Sequence, residues 1–531
     1  MTSDKLKAAI VSLGAPLVLL ILWVSFVVVS GSFDADPDYA YLLNGLNILH
    51  LQSPGHADHP GTPVQILGGA VIGAIWLVRW IALGQVPLDE DVLRQPEFYL
   101  TCVNAVLAML ATAALAFFGR QIRLWTGSFA AALVGQISLL LSLPVLISLP
   151  RVTPEPLLIS LTILLAALLA PAISQPGFPW QQIRHPIMVG ATLGACVATK
   201  ITAAPLIFTV ALLRGLKMQI VAVATMAAIA ILLTLPVRRL YGSFLQWILA
   251  LAIHSGNYGG DAVGLPSLSE LLDHLKLLFE SFPGAFVSVA ICGIMLLWRQ
   301  RREDPERGPG VRFFVVCALI ISIQLIVVAK HYSPRYAMPA AAVAALANAG
   351  AVYVAATSQG ALRLGFAAVM TSLVGLGTWQ AGHSVLDWYG TSYAISREDQ
   401  SLMAKAATSG CTFIPYYGAS LKEFSLFFGN RLARGLYARR LASIYPDFLS
   451  YNGKQFEDFI DVLDPVEAER RLSAKKCVYI FGSPIERFAS FGIAPSDMVS
   501  IARSRGEPGE ALAIYQLSTR IIGQLKLETP R

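Results

Sequence analysis

The chain has 531 residues, 55% hydrophobic and 14% charged, with 40 Lys and Arg against 33 Asp and Glu for a net charge of +7. Soluble domains carry about 25% charged residues, so this composition, with a mean hydropathy of +0.60, excludes an ordinary soluble protein and defines a polytopic membrane chain. The basic residues cluster in short loops between apolar stretches, as the positive-inside rule requires, so nucleic acid is not an expected partner.

Ala8 to Gly31 follows Lys5 and Lys7, is too long for the apolar region of a signal peptide, and lacks a small-residue cleavage site before the next loop. It reads as a retained anchor with a cytoplasmic amino terminus. The loop over 32–63 then carries Asp34, Asp36 and Asp38, an amphipathic stretch from Tyr39 to Leu51, and the turn His56-Ala-Asp58-His59-Pro60-Gly61. One Asp at the bilayer centre costs roughly 2.5–3.5 kcal/mol, so these carboxylates belong at the membrane edge beside water, a cation or a substrate.

Apolar runs long enough for a ~30 Å hydrocarbon core follow at 64–83, 98–119, 128–149, 155–174, 187–213, 218–236, 283–298, 312–329, 336–357 and 361–381. Lys200 falls in the middle of 187–213 and Pro205 follows it, so this run divides into two half-helices that bring the ammonium to the membrane surface. The densest basic loop, Arg299, Arg301, Arg302, Arg307 and Arg312, is expected in the cytoplasm. Counting crossings from it places Arg151-Val-Thr-Pro-Glu155, Lys200, the segment from Arg238 to Pro283, and Lys330-His331-Tyr332-Ser333-Pro334-Arg335-Tyr336 on the outer face with the acidic loop. Arg120 and Arg123 obey the charge rule if one of 64–83 and 98–119, by preference 64–83 after its Pro-Gly-Thr-Pro start, lies along or dips into the membrane. The expectation is an α-helical polytopic protein with about 11 full transmembrane helices plus juxtamembrane helices. Its membrane domain spans 1–381 and includes the outer loop 32–63.

Past residue 382 the composition changes. A helix-like stretch from Phe456 to Leu472 and strand-like runs at Cys411–Tyr417, Cys477–Phe481 and Ala511–Leu517 predict a small α/β extracytoplasmic domain over 382–531. Cys411 and Cys477 open two of these runs, where a disulfide and two small buried residues are both compatible readings. Tyr416, Tyr417, Phe424, Phe427 and Phe428 are better placed as core than as sugar-stacking groups. No internal repeat is present, nor the matched broken helices of many secondary transporters.

Taken together, the anchor, the acidic motif just outside it, the amphipathic stretch, the His-Pro turn, Arg151-Val-Thr-Pro-Glu155, Thr199-Lys200 and the Lys330–Tyr336 turn resemble the GT-C superfamily of polyprenyl-phosphate-sugar-dependent glycosyltransferases. The resemblance covers roughly residues 8–381 and is strongest to the branch of protein O-mannosyltransferases and lipid A aminoarabinose transferases. Asp36-Pro37-Asp38 and His59-Pro60-Gly61 stand where that branch usually has Asp-Glu and His-Pro-Pro, which implies a divergent subfamily. The resemblance implies a GT-C fold, a sugar donor linked to polyprenyl phosphate, an extracytoplasmic acceptor that is a glycan, a lipid or a protein, and a site facing the periplasm or exterior of a bacterial inner membrane.

The chemistry follows from residue types. Transfer needs a carboxylate to take the acceptor's proton, and Asp36 or Asp38 fits; the resemblance favours Asp36. Pro37 should hold Asp36 extended, although both carboxylates also suit the amino end of the Tyr39–Leu51 helix as caps. The leaving lipid phosphate needs cations, for which Arg151, Lys200, Lys330 and Arg335 are candidates, with Arg best suited to paired contacts. Snorkelling at helix ends is the alternative for each. His59, Glu155, His254, Tyr258, His331, Tyr332 and Tyr336 are the substrate-orienting candidates, the Gly-rich stretch around Tyr258 also suiting a covering loop. His56, Asp58 and His59 have the side chains to hold a divalent cation such as Mg2+, Mn2+ or Ca2+, and a polar turn hydrogen-bonded to substrate is the competing use. With no Walker loop or dinucleotide fingerprint, a donor delivered through the bilayer fits better than a soluble nucleotide sugar. A glycan ligase or polymerase using a polyprenyl-diphosphate donor, and a lipid-linked sugar transporter or flippase, remain as alternative readings.

Overall fold

A computed structural model describes residues 3–30, 33, 35–57, 61–84, 86–146, 148–174, 183–255, 260, 263–264, 266–300, 310–357, 412–415, 421–451, 456–473, 478–482, 498–503 and 513–517. The chain divides into two compact units, one of Met1–Val27, Ala57–Ile66 and Asn104–Leu386, the other of Val28–His56, Leu67–Val103 and Asp387–Arg531. The composition change near 382 falls beside the last of these boundaries, and parts of the first loop group with the C-terminal residues.

Seven described helices are long and apolar enough to cross a membrane: Asp4–Phe26, Thr62–Leu83, Pro96–Thr126, Pro154–Ser174, Leu216–Ile253, Val311–Lys330 and Pro334–Thr357. The pair Leu268–Ser281 and Pro283–Trp298, bent by 94°, makes an eighth if it crosses as one. The sequence count of about 11 exceeds this for identifiable reasons. The expected span 128–149 forms only the 12-residue helix Phe129–Leu140 and a short turn Leu143–Leu146, because Pro144 cannot continue the ladder of the first helix. The run 187–213 breaks where expected, into Arg184–Thr199 and a 3-10 helix Ile201–Leu212, with Lys200 extended between them. The expected span 361–381 lies outside the described residues. Thr62–Leu83 is a continuous 22-residue helix, ~33 Å long at 1.5 Å per residue, which meets the length of a full crossing.

Within the first unit, small residues bring backbones together as membrane helices require. A Cβ at Gly190 would lie 2.2 Å from the Ala222 carbonyl oxygen, and one at Gly194 2.5 Å from that of Met226. Gly190→Leu should therefore separate Arg184–Thr199 from Leu216–Thr234 and cost about 1–3 kcal/mol, read as a lower melting temperature of the detergent-solubilised protein. Buried polar groups hold the Arg151 turn. The Trp23 indole donates to Asn104 Oδ1 (2.7 Å), and Asn104 Nδ2 donates to the carbonyls of Leu149 (3.1 Å) and Arg151 (3.2 Å).

In the second unit a π-helical turn, Ala35–Tyr39, continues into the helix Ala40–Leu49. Pro37 sits in a first turn, where its missing N–H and fixed φ are tolerated, so the backbone at Asp36 is helical and the expected extended conformation does not occur. The stretch is also more buried than an amphipathic surface helix would be, with every residue from Ala40 to Asn47 inside. Helices Lys422–Leu432 and Ala438–Ile444 follow in the C-terminal part, with six strands among the described residues: β1 (Thr412–Pro415), β2 (Ser450–Tyr451), β3 (Phe456–Glu457), β4 (Val478–Gly482), β5 (Met498–Arg503) and β6 (Ala513–Leu517). One sheet has the order β1-β4-β6-β5, β1 and β4 parallel and the other neighbours antiparallel, while β2 and β3 pair separately. The expected strands appear as β1, β4 and β6, and β5 was not expected. Of the helix-like stretch from Phe456 to Leu472 only Pro465–Ser473 is helical. Thr412 and Val478 are register partners; the adjacent Cys411 and Cys477, like Tyr416 and Tyr417, lie outside the described residues. Phe424 and Phe427 are buried, with Phe427 5.5 Å from Phe448 and Phe448 4.3 Å from Phe459 between ring centres, so they form core as expected.

Asp91 in this unit is fully bonded. It accepts from Arg79 Nε (2.8 Å) and Nη2 (3.0 Å), from the Tyr99 hydroxyl (2.6 Å) and from Gln95 Nε2 (3.2 Å). The Arg79 hydrogen bonds hold its carboxyl below the usual range against the opposing effect of burial. A depressed folded-state value makes this stabilisation complete above the ordinary Asp range and lost as pH falls through the folded value. Acid titration of thermal stability should show this loss, and Asp91→Asn should flatten that limb.

Candidate active site

Helix Pro154–Leu169 opens with Pro154 at its first position, a placement that wastes no N–H, and puts Glu155 in the first turn, where the dipole favours a carboxylate. Lys200, extended at the break between two helices, meets it. The two side chains form an ion pair buried almost completely, Lys200 at 1% and Glu155 at 3% exposure. The Lys200 ammonium is therefore inside the protein and not at the membrane surface. Thr153 adds a side-chain hydrogen bond to Glu155, and Arg335 is close enough to act on both charges. The Tyr336 ring covers Lys200, its centre 4.0 Å from Nζ, and the Arg335 guanidinium lies 5.8 Å from the same ring.

Beside this cluster is a cavity of about 660 Å3. Lys330, His331, Tyr332, Ser333, Arg335 and Tyr336 supply its polar wall, and Ile201, Trp247, Ile248, Leu251, Val327 and Val328 its apolar wall. Lys330 Nζ donates to the carbonyls of Leu251 (2.8 Å) and Ala252 (2.6 Å), and His331 Nε2 donates to that of Leu251 (2.8 Å). These carbonyls end the helix Tyr241–Ile253, where backbone oxygens lack helical partners and cations are favoured. Lys330 thus spends two of its three donors on the scaffold. With Nε2 committed as donor, neutral His331 keeps Nδ1 as an acceptor, and that atom is buried without a hydrogen-bond partner among the described residues. Tyr332 stacks on His274, ring centres 5.4 Å apart, and His274 Nδ1 donates to the Ala329 carbonyl (2.7 Å).

The remaining candidates divide. Asp38 is fully buried, in the turn Ala35–Tyr39. The helix that follows takes Tyr39 as its N-cap, with no side-chain cap bond. The Tyr39 hydroxyl donates to Glu97 (2.8 Å); burial first, then the charges of Glu97 and Asp38, holds this phenol well above its usual range. Arg151 is half-buried in its turn, and His254 ends the helix Tyr241–Ile253, its backbone paired with Val263. His56 sits edge-on to Tyr41 at 6.1 Å. The Asp36 side chain, Asp58, His59 and Tyr258 lie outside the described residues. Among the described residues no cluster of three His, Cys, Asp or Glu side chains forms a cation site.

The sequence brought forward the charges but not the apolar wall. Phe244 and Trp247, three apart on one helix and stacked at 6.0 Å, were the available signal for it. Neither does the sequence give the scaffold role of the Leu251 and Ala252 carbonyls.

The fold of this helical chain, with its membrane-length apolar helices, is similar to that of solved structures. The particular fold is that of ArnT. The crystal structure of ArnT from Cupriavidus metallidurans bound to undecaprenyl phosphate matches with a TM-score of 0.51 and 13% identity, over 97% of this chain and 98% of that one. Its apo state matches at 0.51 and 14% over the same shares. No family model and no curated protein sequence matches the chain.

Proposed function

We propose that the protein is an inverting membrane glycosyltransferase that moves a sugar from a polyprenyl-phosphate donor to an extracytoplasmic acceptor. The observation that carries this reading is the cavity, where Arg335, Lys330 and two tyrosines face apolar side chains across 660 Å3. A polyprenyl phosphate has this division of character, a compact anion on a hydrocarbon tail. The match to a protein crystallised with undecaprenyl phosphate supports the same donor class.

In the reaction, the Asp36 or Asp38 carboxylate takes the proton of the acceptor hydroxyl as that oxygen attacks the anomeric carbon. The bond from that carbon to the phosphate oxygen breaks on the opposite face, and the polyprenyl phosphate leaves with both electrons. Arg335 offers a planar fork to the phosphate oxygens, and Lys330 adds charge from a fixed position. Arg151 is the further cation of this assignment. Lys200, neutralised by Glu155, contributes by fixing Tyr336 and the charge around Arg335. His331 Nδ1 suits a sugar hydroxyl as donor, and Tyr332, Tyr336, His59, His254 and Tyr258 are assigned to orient substrate. The site is assigned to the periplasmic or outer face of a bacterial inner membrane.

The test is donor consumption by the purified protein in lipid nanodiscs, followed as release of free polyprenyl phosphate from a polyprenyl-phosphate sugar. Arg335→Ala should lower turnover about 10²–10³-fold, the range for removing one group that stabilises developing charge, while Arg335→Lys restores part of it. Movement of the intact donor across vesicles without cleavage would assign the protein to transport instead.

A further inference from the structure

We infer that the C-terminal part of the chain positions the acidic turn, with Gly429 and Tyr437 as positioning residues. The inference rests on the assignment of a base to Asp36 or Asp38. All of its contacts lie within the second compact unit.

Helix Lys422–Leu432 packs directly on the turn Ala35–Tyr39 and on the helix Ala40–Leu49. The approach is as close as backbones allow. A Cβ at Gly429 would lie 2.9 Å from the Tyr39 carbonyl carbon, 3.0 Å from its oxygen and 3.1 Å from its Cβ. Tyr39 is the peptide neighbour of Asp38, so any side chain at 429 must move the backbone that carries the carboxylate.

Hydrogen bonds hold the two helices in this register. The last carbonyls of a helix lack partners within it, and here Asn44 Nδ2 donates to the Leu432 carbonyl (3.3 Å) and Asn47 Nδ2 to that of Ala433 (3.2 Å). The Tyr437 hydroxyl donates to Asn47 Oδ1 (2.6 Å), and the Gly55 N–H to Asn44 Oδ1 (2.8 Å). Both asparagines are fully buried. The helix can end this way because Arg434 and Gly435 both take φ of 67°, and the Gly435 N–H returns to the Asn430 carbonyl (2.7 Å). A C-terminal segment needed only to meet the acceptor has no use for asparagines that lock its helix end to the residues just after the base.

Gly429→Ala in the full-length protein should lower kcat about 10²-fold, the scale of an ångström misplacement of a reacting group. The donor KM should stay near the wild-type value, and the acid limb of the kcat profile should move. Tyr437→Phe, which keeps the packing and removes one hydrogen bond, should lower kcat less and in the same pattern. Asp36→Asn and Asp38→Asn are measured alongside. If either is inactive while Gly429→Ala turns over at the wild-type rate, the positioning role is wrong and the base assignment stands. If both Asn variants are fully active, the base assignment falls and the inference falls with it. A loss in Gly429→Ala that tracks a smaller folded fraction, with the remaining enzyme at the wild-type pH profile, also overturns it. Should Gly429→Ala fail to fold, unchanged kcat in Tyr437→Phe overturns it alone.

Discussion

Lys200→Met is expected to destabilise the protein by about 3–5 kcal/mol, the cost of leaving one member of a buried ion pair uncompensated. Glu155 has no route to water at 3% exposure, and Thr153 supplies a single neutral hydrogen bond. Glu155→Gln should cost less, because a neutral amide can still accept from Lys200 while its ammonium keeps the Tyr336 face, 4.0 Å away. Lys200→Met with Glu155→Leu removes both charges and should recover most of the loss, since apolar replacement of a whole buried pair is often neutral or better. Melting temperatures of the detergent-solubilised wild type, Lys200→Met, Glu155→Leu and the double variant close the cycle. Single and double losses that simply add would show that the two charges do not act as a pair. Activity should separate from stability here. The double variant folds but lacks the charges beside Arg335 and Tyr336, so its turnover is expected to stay low.

What the sequence disclosed and what it withheld divide along the range of the forces involved. A lysine inside an apolar run with a proline five residues on is a local conflict, and the break at Lys200 was legible from it. The partner was not, because Glu155 lies 45 positions away and nothing in one sequence pairs distant charges. The turn from Lys330 to Tyr336 showed itself as a dense polar island entering an apolar span. That Lys330 caps the end of another helix depends on a contact 79 and 78 positions away. The acidic motif was visible as a place but misread as a conformation. Pro37 restricts its predecessor in general, and the packed π-helical turn overrides that preference. Asn44 and Asn47 lie in the stretch expected to be amphipathic. They are buried because carbonyls 388 and 386 positions away accept from them.

Asp36→Asn and Asp38→Asn are expected to be unequal, and the inequality assigns the base. Loss of a general base lowers turnover by about 10²–10⁴, whereas loss of a neighbour that only orients it should cost roughly tenfold. In both variants the donor KM should stay near wild type, because proton removal from the acceptor belongs to the transition state and not to donor binding. The carboxylate must be ionised to accept the proton, so wild-type turnover should fall as pH drops through its titration. Asn does not titrate, so the variant of the true base should lose that limb together with its rate, and the other variant should retain it. The turn favours a division of labour. Asp38 is buried completely and adjoins Tyr39, whose phenol is committed to Glu97 at 2.8 Å, so Asp38 belongs to the fixed side of the turn. The larger loss is therefore expected in Asp36→Asn, the carboxylate that the resemblance also favours. A larger loss in Asp38→Asn than in Asp36→Asn would reverse the two roles. Wild-type turnover in both would remove the acidic turn from the reaction.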